Sequence, residues 1–297
     1  MNSKEKLLEK ATNLFLKDHL KEKIEKVVVY LAIILFIAHL ILIGIIDFNL
    51  IDSTRFDQLT INPISALYTP FSVILIYEIY LLVFYLPKSI TNYIGKQYEI
   101  ITLILIRKIF YDLAQIEFSE EWFSIQGDLQ FTLDILATLV LFFGIFLFYR
   151  LDQKNKNKSS MSQKTIKYIQ MKKFFAVFLI PVILVLGIFS IYDFITNPNL
   201  SPESVSYSIK GFNAVFFDDF FTILIVTDVL LLLFSFLQTN QFSRVIRNSG
   251  FIISTVIIKL SFSADGILNP ILIVTAVVFG LLILLIYHQF TKLEIKK

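Results

Sequence analysis

The sequence predicts an all-α integral membrane protein: about eight transmembrane helices set as two parallel tandem four-helix repeats, with both termini in the cytoplasm. Three observations lead there. Of the 297 residues, 56% are hydrophobic and only 17% charged, far more apolar than a soluble domain of this length. The apolar residues fall in repeated runs of about 20, the length that crosses a hydrocarbon core. The second half of the chain also repeats the charge placement of the first.

Runs bounded by charge give spans near 27–46, 65–86, 98–116, 130–149, 173–192, 213–237, 250–264 and 268–287. The charged segment 1–26 precedes the first. In it Leu7, Leu8, Ala11, Leu14 and Phe15 recur at helical spacing, so an amphipathic interfacial helix is expected. The segment is too long and too charged for a signal-peptide n-region, and no small-residue cleavage pattern follows; the first apolar run is expected to be retained.

With the N-terminus inside, residues 1–26, 87–97, 150–172, 238–249 and 288–297 are cytoplasmic, and nearly all Lys and Arg fall in them. The opposite loops carry Asp47, Asp52, Asp57, Glu117, Glu120, Glu121, Asp128, Glu203 and Asp265. The expected organisation is the interfacial helix 1–26, a first repeat 27–150, a basic linker 151–172 and a second repeat with a short basic tail, 173–297. The linker is expected to set topology and to lie on anionic lipid headgroups. The bilayer is thus the principal partner, with a homo-oligomer or a membrane complex as the wider setting, and no nucleic acid.

The duplication rests on charges more than on apolar letters. Phe71–Phe84, FSVILIYEIYLLVF, aligns without gaps to Phe221–Phe234, FTILIVTDVLLLLF, matching Glu78 with Asp228. Ile100–Arg107, IITLILIR, aligns with Ile252–Lys259, IISTVIIK, matching Arg107 with Lys259. Asp47-Phe48 corresponds to Asp193-Phe194, and Phe143-Gly144 to Phe279-Gly280. Four spans per repeat give both halves one orientation, as in parallel-repeat transporters, where substrates bind at the repeat interface.

Charged residues in the membrane are costly and mark function or fixed pairing. Counting from the span ends places Glu78 level with Arg107 and Asp228 level with Lys259, so two intramembrane acid–base pairs are expected. They serve either as structural bridges or as an ion path. Lys108 and Asp112, four apart on one helix, form a local pair. Asp134, Asp218 and Asp219 sit toward the outer leaflet, where they mark helix ends or form a cation entrance. Arg244 and Arg247 stand three apart, but Gly250, Ile253 and Val256 follow at that spacing, too few charges for a gating series.

The chain has no cysteine, which excludes disulfides, thiolate metal sites and cysteine nucleophiles. Of His19, His39 and His288 only His39 falls within a span, and no cofactor or metal site is expected from it. No P-loop, HExxH, GxSxG or dinucleotide fingerprint occurs, and no enzymatic activity is expected. The leading expectation is a channel or secondary transporter for a proton or monovalent cation in a cell membrane of the bacterial inner-membrane type. The alternatives are a non-catalytic anchoring subunit and, third, a polytopic lipid-processing enzyme.

Overall fold

The computed structural model describes residues 9–10, 12, 14–48, 66–113, 126–153, 163–196, 220–236, 241–264 and 266–295; among them the regular structure is helical, with no strand. The helices are α1 (Asp18–Asp47), α2 (Tyr68–Tyr85), α3 (Ile90–Leu113), α4 (Gln126–Gln153), α5 (Gln163–Thr196), α6 (Phe220–Phe236), α7 (Phe242–Phe262) and α8 (Leu268–Ile295). Five of them, α1, α4, α5, α7 and α8, are long and apolar enough to cross a bilayer. This is a multi-pass helical membrane protein.

Three boundaries differ from the expectation, each for a local reason. Helix α3 starts eight residues earlier than the apolar run, because Ser89 caps it: the Ser89 Oγ accepts from the Asn92 amide at 3.2 Å. The polar stretch Thr91–Gln97 is therefore helical. Helix α5 begins at Gln163, so the second half of the stretch read as linker is also helix. Helix α1 takes in the charged residues from Asp18 onward, after a break at Leu16 and Lys17. The segment before it is tied to the α2–α3 end of the bundle. Tyr80 Oη donates to the Phe15 carbonyl at 2.9 Å, and Lys88 pairs with Asp18 at 3.4 Å.

Helix α1 packs on α2, α2 on α3, α3 on α4, α4 on α8 and α7 on α8, with further contacts from α3 to α7 and α8 and from α2 to α5. Helix α6 joins α5 through Tyr168, whose Oη donates to the Leu231 carbonyl at 3.2 Å, and joins α7 through the tilted rings of Phe221 and Phe262, 4.9 Å apart. The two hairpins α3–α4 and α7–α8 thus form the centre. Close helix approach there relies on missing side chains. A Cβ on Gly250 would meet the Ile283 side chain at 2.6 Å, and one on Gly280 would collide with the Tyr98 ring. Tyr98 itself is fully buried and bonds Ser254 at 2.8 Å; Ser254 Oγ contacts the Ala276 carbonyl at 2.7 Å, tying α3, α7 and α8 together.

Large apolar side chains face outward along the helices: Tyr30, Ile34, Leu139, Phe143, Leu184 and Leu282 are all more than half exposed. In water such a surface would drive aggregation; in lipid it is the solvated surface. Pro181 lies within α5, on its exposed face, and removes one backbone donor there.

Candidate functional site

Asp228 stands in the middle of α6, between Thr227 and Val229 in an otherwise apolar helix, and only 6% of it is exposed. A buried carboxyl must find donors. They come from α3: Tyr93 Oη reaches Asp228 Oδ2 at 3.3 Å and Gln97 Nε2 reaches the same oxygen at 3.5 Å. Four residues apart on a helix, Tyr93 and Gln97 share one face. The other end of the Gln97 amide accepts from Thr255 Oγ1 of α7 at 2.7 Å, so its orientation is set from both sides. Side chains from α3, α6 and α7 therefore form one continuous polar chain inside an apolar bundle.

The balancing charge is Lys172 of α5, 4% exposed, which donates through Nζ to the Lys88 carbonyl in the α2–α3 turn at 3.0 Å. Lys172 and Asp228 feel each other's charge across a narrow cavity of about 20 Å³, room for about one water, without forming a direct ion pair. Tyr93 and Tyr168 complete its polar lining; Leu86, Ile90, Ile94, Leu231 and Ile252 supply the apolar walls. The arrangement puts a carboxyl and an ammonium group on a space that admits small species only. Burial of both charges favours the presence of each, since removing one would strand the other.

The expected pairs are not the ones formed. Glu78 of α2 feels Lys96 and Glu99 of α3 and Glu25 of α1. Around it Tyr77 Oη donates to Glu25 at 2.9 Å, Lys96 pairs with Glu99, and Tyr149 Oη donates to Glu99. Arg107 lies seventeen residues beyond Ile90, about 26 Å along α3 at 1.5 Å per residue, toward the opposite end of the helix from this cluster. Lys259 likewise lies in the last turn of α7, seventeen residues beyond Phe242. Both depth estimates counted from the apolar run rather than from the true helix start, and the error is the same in the two halves. Neither Glu78–Arg107 nor Asp228–Lys259 is among the ion pairs of the described residues.

Asp134 of α4 is fully buried and pairs with Lys108 of α3 at 2.9 Å, an interhelical bridge. Asp218 and Asp219 lie outside the described residues. His39 is held by Thr69 Oγ1 of α2 at 2.6 Å. Among the described residues no group of three or more His, Asp and Glu is placed to hold a metal ion. The residues the sequence reading missed are Tyr93, Gln97, Thr255 and Lys172. The Ser89 cap was the available signal for the first two, since it brings them onto one helix face. Lys172 falls at the end of the stretch 151–172 that reads as linker, although apolar spacing resumes at Ile166. The sequence matches no protein-family model, and neither a curated protein nor a solved structure shows detectable similarity to it.

Proposed function

We propose that the chain moves a small ion, a proton or a monovalent cation, through the membrane, with Asp228 as the ion-carrying acid and Lys172 as its counter-charge. The observation that carries this reading is the shared cavity of Asp228 and Lys172 where α3 of the first half meets α5 and α6 of the second. An ion arriving at Asp228 would neutralise the carboxylate directly, where Lys172 acts only across the cavity, and its departure would restore the original balance. Tyr93 and Gln97 hold the carboxylate in place in either state. All eight helices would span, with both termini in the cytoplasm and the halves related along the membrane normal. The matching positions of Arg107 and Lys259 in α3 and α7, and the Lys/Arg distribution, support that reading.

The test is ion flux in proteoliposomes for the native chain and Asp228→Asn. Asparagine keeps an acceptor for Tyr93 and Gln97, so the variant should fold while its flux falls to the level of empty liposomes. Native-like flux from a folded Asp228→Asn protein would overturn the role of Asp228. If the native chain itself shows no flux of protons, sodium or potassium, the anchoring-subunit reading takes its place.

A further inference from the structure

A second charged cluster sits where α4 and α8 end and α7 begins. Phe242, the first residue of α7, meets the Phe290 ring of α8 at 6.0 Å and joins these ends. One turn further on, the Arg247 guanidinium lies over the Tyr287 ring at 4.5 Å. Its Nε and Nη2 donate to Asn248 Oδ1 at 3.2 and 3.1 Å, and the buried Asn248 donates in turn to Ser235 Oγ at 3.0 Å. The guanidinium is thus positioned by a ring and an amide, both neutral. Among the described residues Arg247 makes no ion pair, and three of its five N–H donors have no partner.

The charges around it do not compensate. Arg247 feels Arg244 and Asp152, and His288 feels Asp152, Lys292 and Arg247. Lys172 feels Arg247 from the other side, balanced by Asp228. Among the described residues Arg244, Arg247 and Lys292 therefore face one carboxylate, Asp152. A planar guanidinium held in advance, largely withdrawn from water and short of an anion, is the arrangement that takes two oxygens of a phosphate in a bidentate grip. Beside it Phe242 and Leu293 are each 62% exposed, an apolar flank suited to acyl chains.

We propose that this corner binds a phosphate-bearing anion, with Arg247 as the anchor and Arg244 and Lys292 as flanking cations, and that the anion is the headgroup of an anionic lipid. The site is separate from the Asp228 cavity and stands whether or not the chain conducts ions. In the test, the purified full chain in detergent is titrated with phosphatidylglycerol, with phosphatidylcholine and with inorganic phosphate alone. Retained lipid is read by native mass spectrometry and protection by melting temperature.

Phosphatidylglycerol should bind in preference to phosphatidylcholine. Arg247→Gln should weaken it about tenfold, the loss expected for a charge-assisted hydrogen-bonded contact, and Arg247→Lys should restore only part, since it keeps the charge without the planar fork. The double variant Arg244→Gln/Lys292→Gln leaves the Tyr287 and Asn248 contacts intact; it should lower affinity without lowering stability in the absence of lipid, which keeps the test open if Arg247 variants misfold. Protection by inorganic phosphate that is lost in Arg247→Gln, with no preference between the lipids, would support the anion site and overturn the lipid assignment. Equal binding of both lipids with no effect of phosphate, or native discrimination in all variants, would overturn the proposal.

Discussion

Replacing Asp134 by Leu should destabilise the protein severely, and the structure sets the size. Asp134 has 0% side-chain exposure and Lys108 23%, with 2.9 Å between Nζ and Oδ2, so the substitution leaves an ammonium group between α3 and α4 with its described partner gone. Removing one member of a buried pair costs about 3–5 kcal/mol. An ordinary interhelical hydrogen bond in a membrane is worth about 0.6 kcal/mol on average, so the two cases are separable. At about 2–4 °C per kcal/mol the shift in melting temperature is roughly 6–20 °C. The double variant Lys108→Met/Asp134→Leu removes desolvation cost and Coulomb gain together and should return to within about 1 kcal/mol of the native protein. The assay is thermal unfolding in one detergent at one scan rate for the native, single and double variants, with flux measured alongside. Additive effects of Lys108→Met and Asp134→Leu would refute the bridge. So would a stable Asp134→Leu protein with altered flux, the pattern of an ion entrance.

Gly280→Ala should lower stability by about 1–3 kcal/mol, because the new Cβ drives Tyr98 from its Ser254 bond; Tyr98→Phe in the same chain should not add its own full cost, as read by melting temperature. Ser89→Ala removes the α3 cap and should cost about 1 kcal/mol, read from the same assay. Single cysteines at Ser160 and Ser201, in a chain without native cysteine, should be labelled by an impermeant maleimide from opposite sides of the membrane; labelling from one side refutes the topology.

Helix type and approximate position were legible because a hydrocarbon solvent imposes long apolar runs, and each of the eight runs overlaps a helix of the described residues. Asp228 was legible for the same reason, as an acid in a run that should contain none. Its partners were not. Tyr93 and Gln97 are more than 130 residues away in sequence, and neither letter stands out in a segment that reads as a loop. Depth failed for a related cause: hydropathy marks where a helix enters lipid, while the cap at Ser89 marks where it begins, and the two differ by the eight residues that separate Arg107 from its expected partner. Lys172 and Lys108 show a further limit, since a lysine near a span end looks alike whether it snorkels to water or turns inward to a carbonyl or a carboxylate.

The Lys88 carbonyl has a consequence for assembly of the chain in the membrane. Its acceptor bond comes from Lys172, on a helix synthesised after the whole first half, while the donors to Asp228 lie in that first half. Each half thus emerges with buried polar groups that only the other satisfies. Expressed as two fragments divided between Gln153 and Gln163, the halves should each be poorly stable alone and should protect one another when made together, with Tyr93, Gln97 and Lys172 serving as the polar clasp between them.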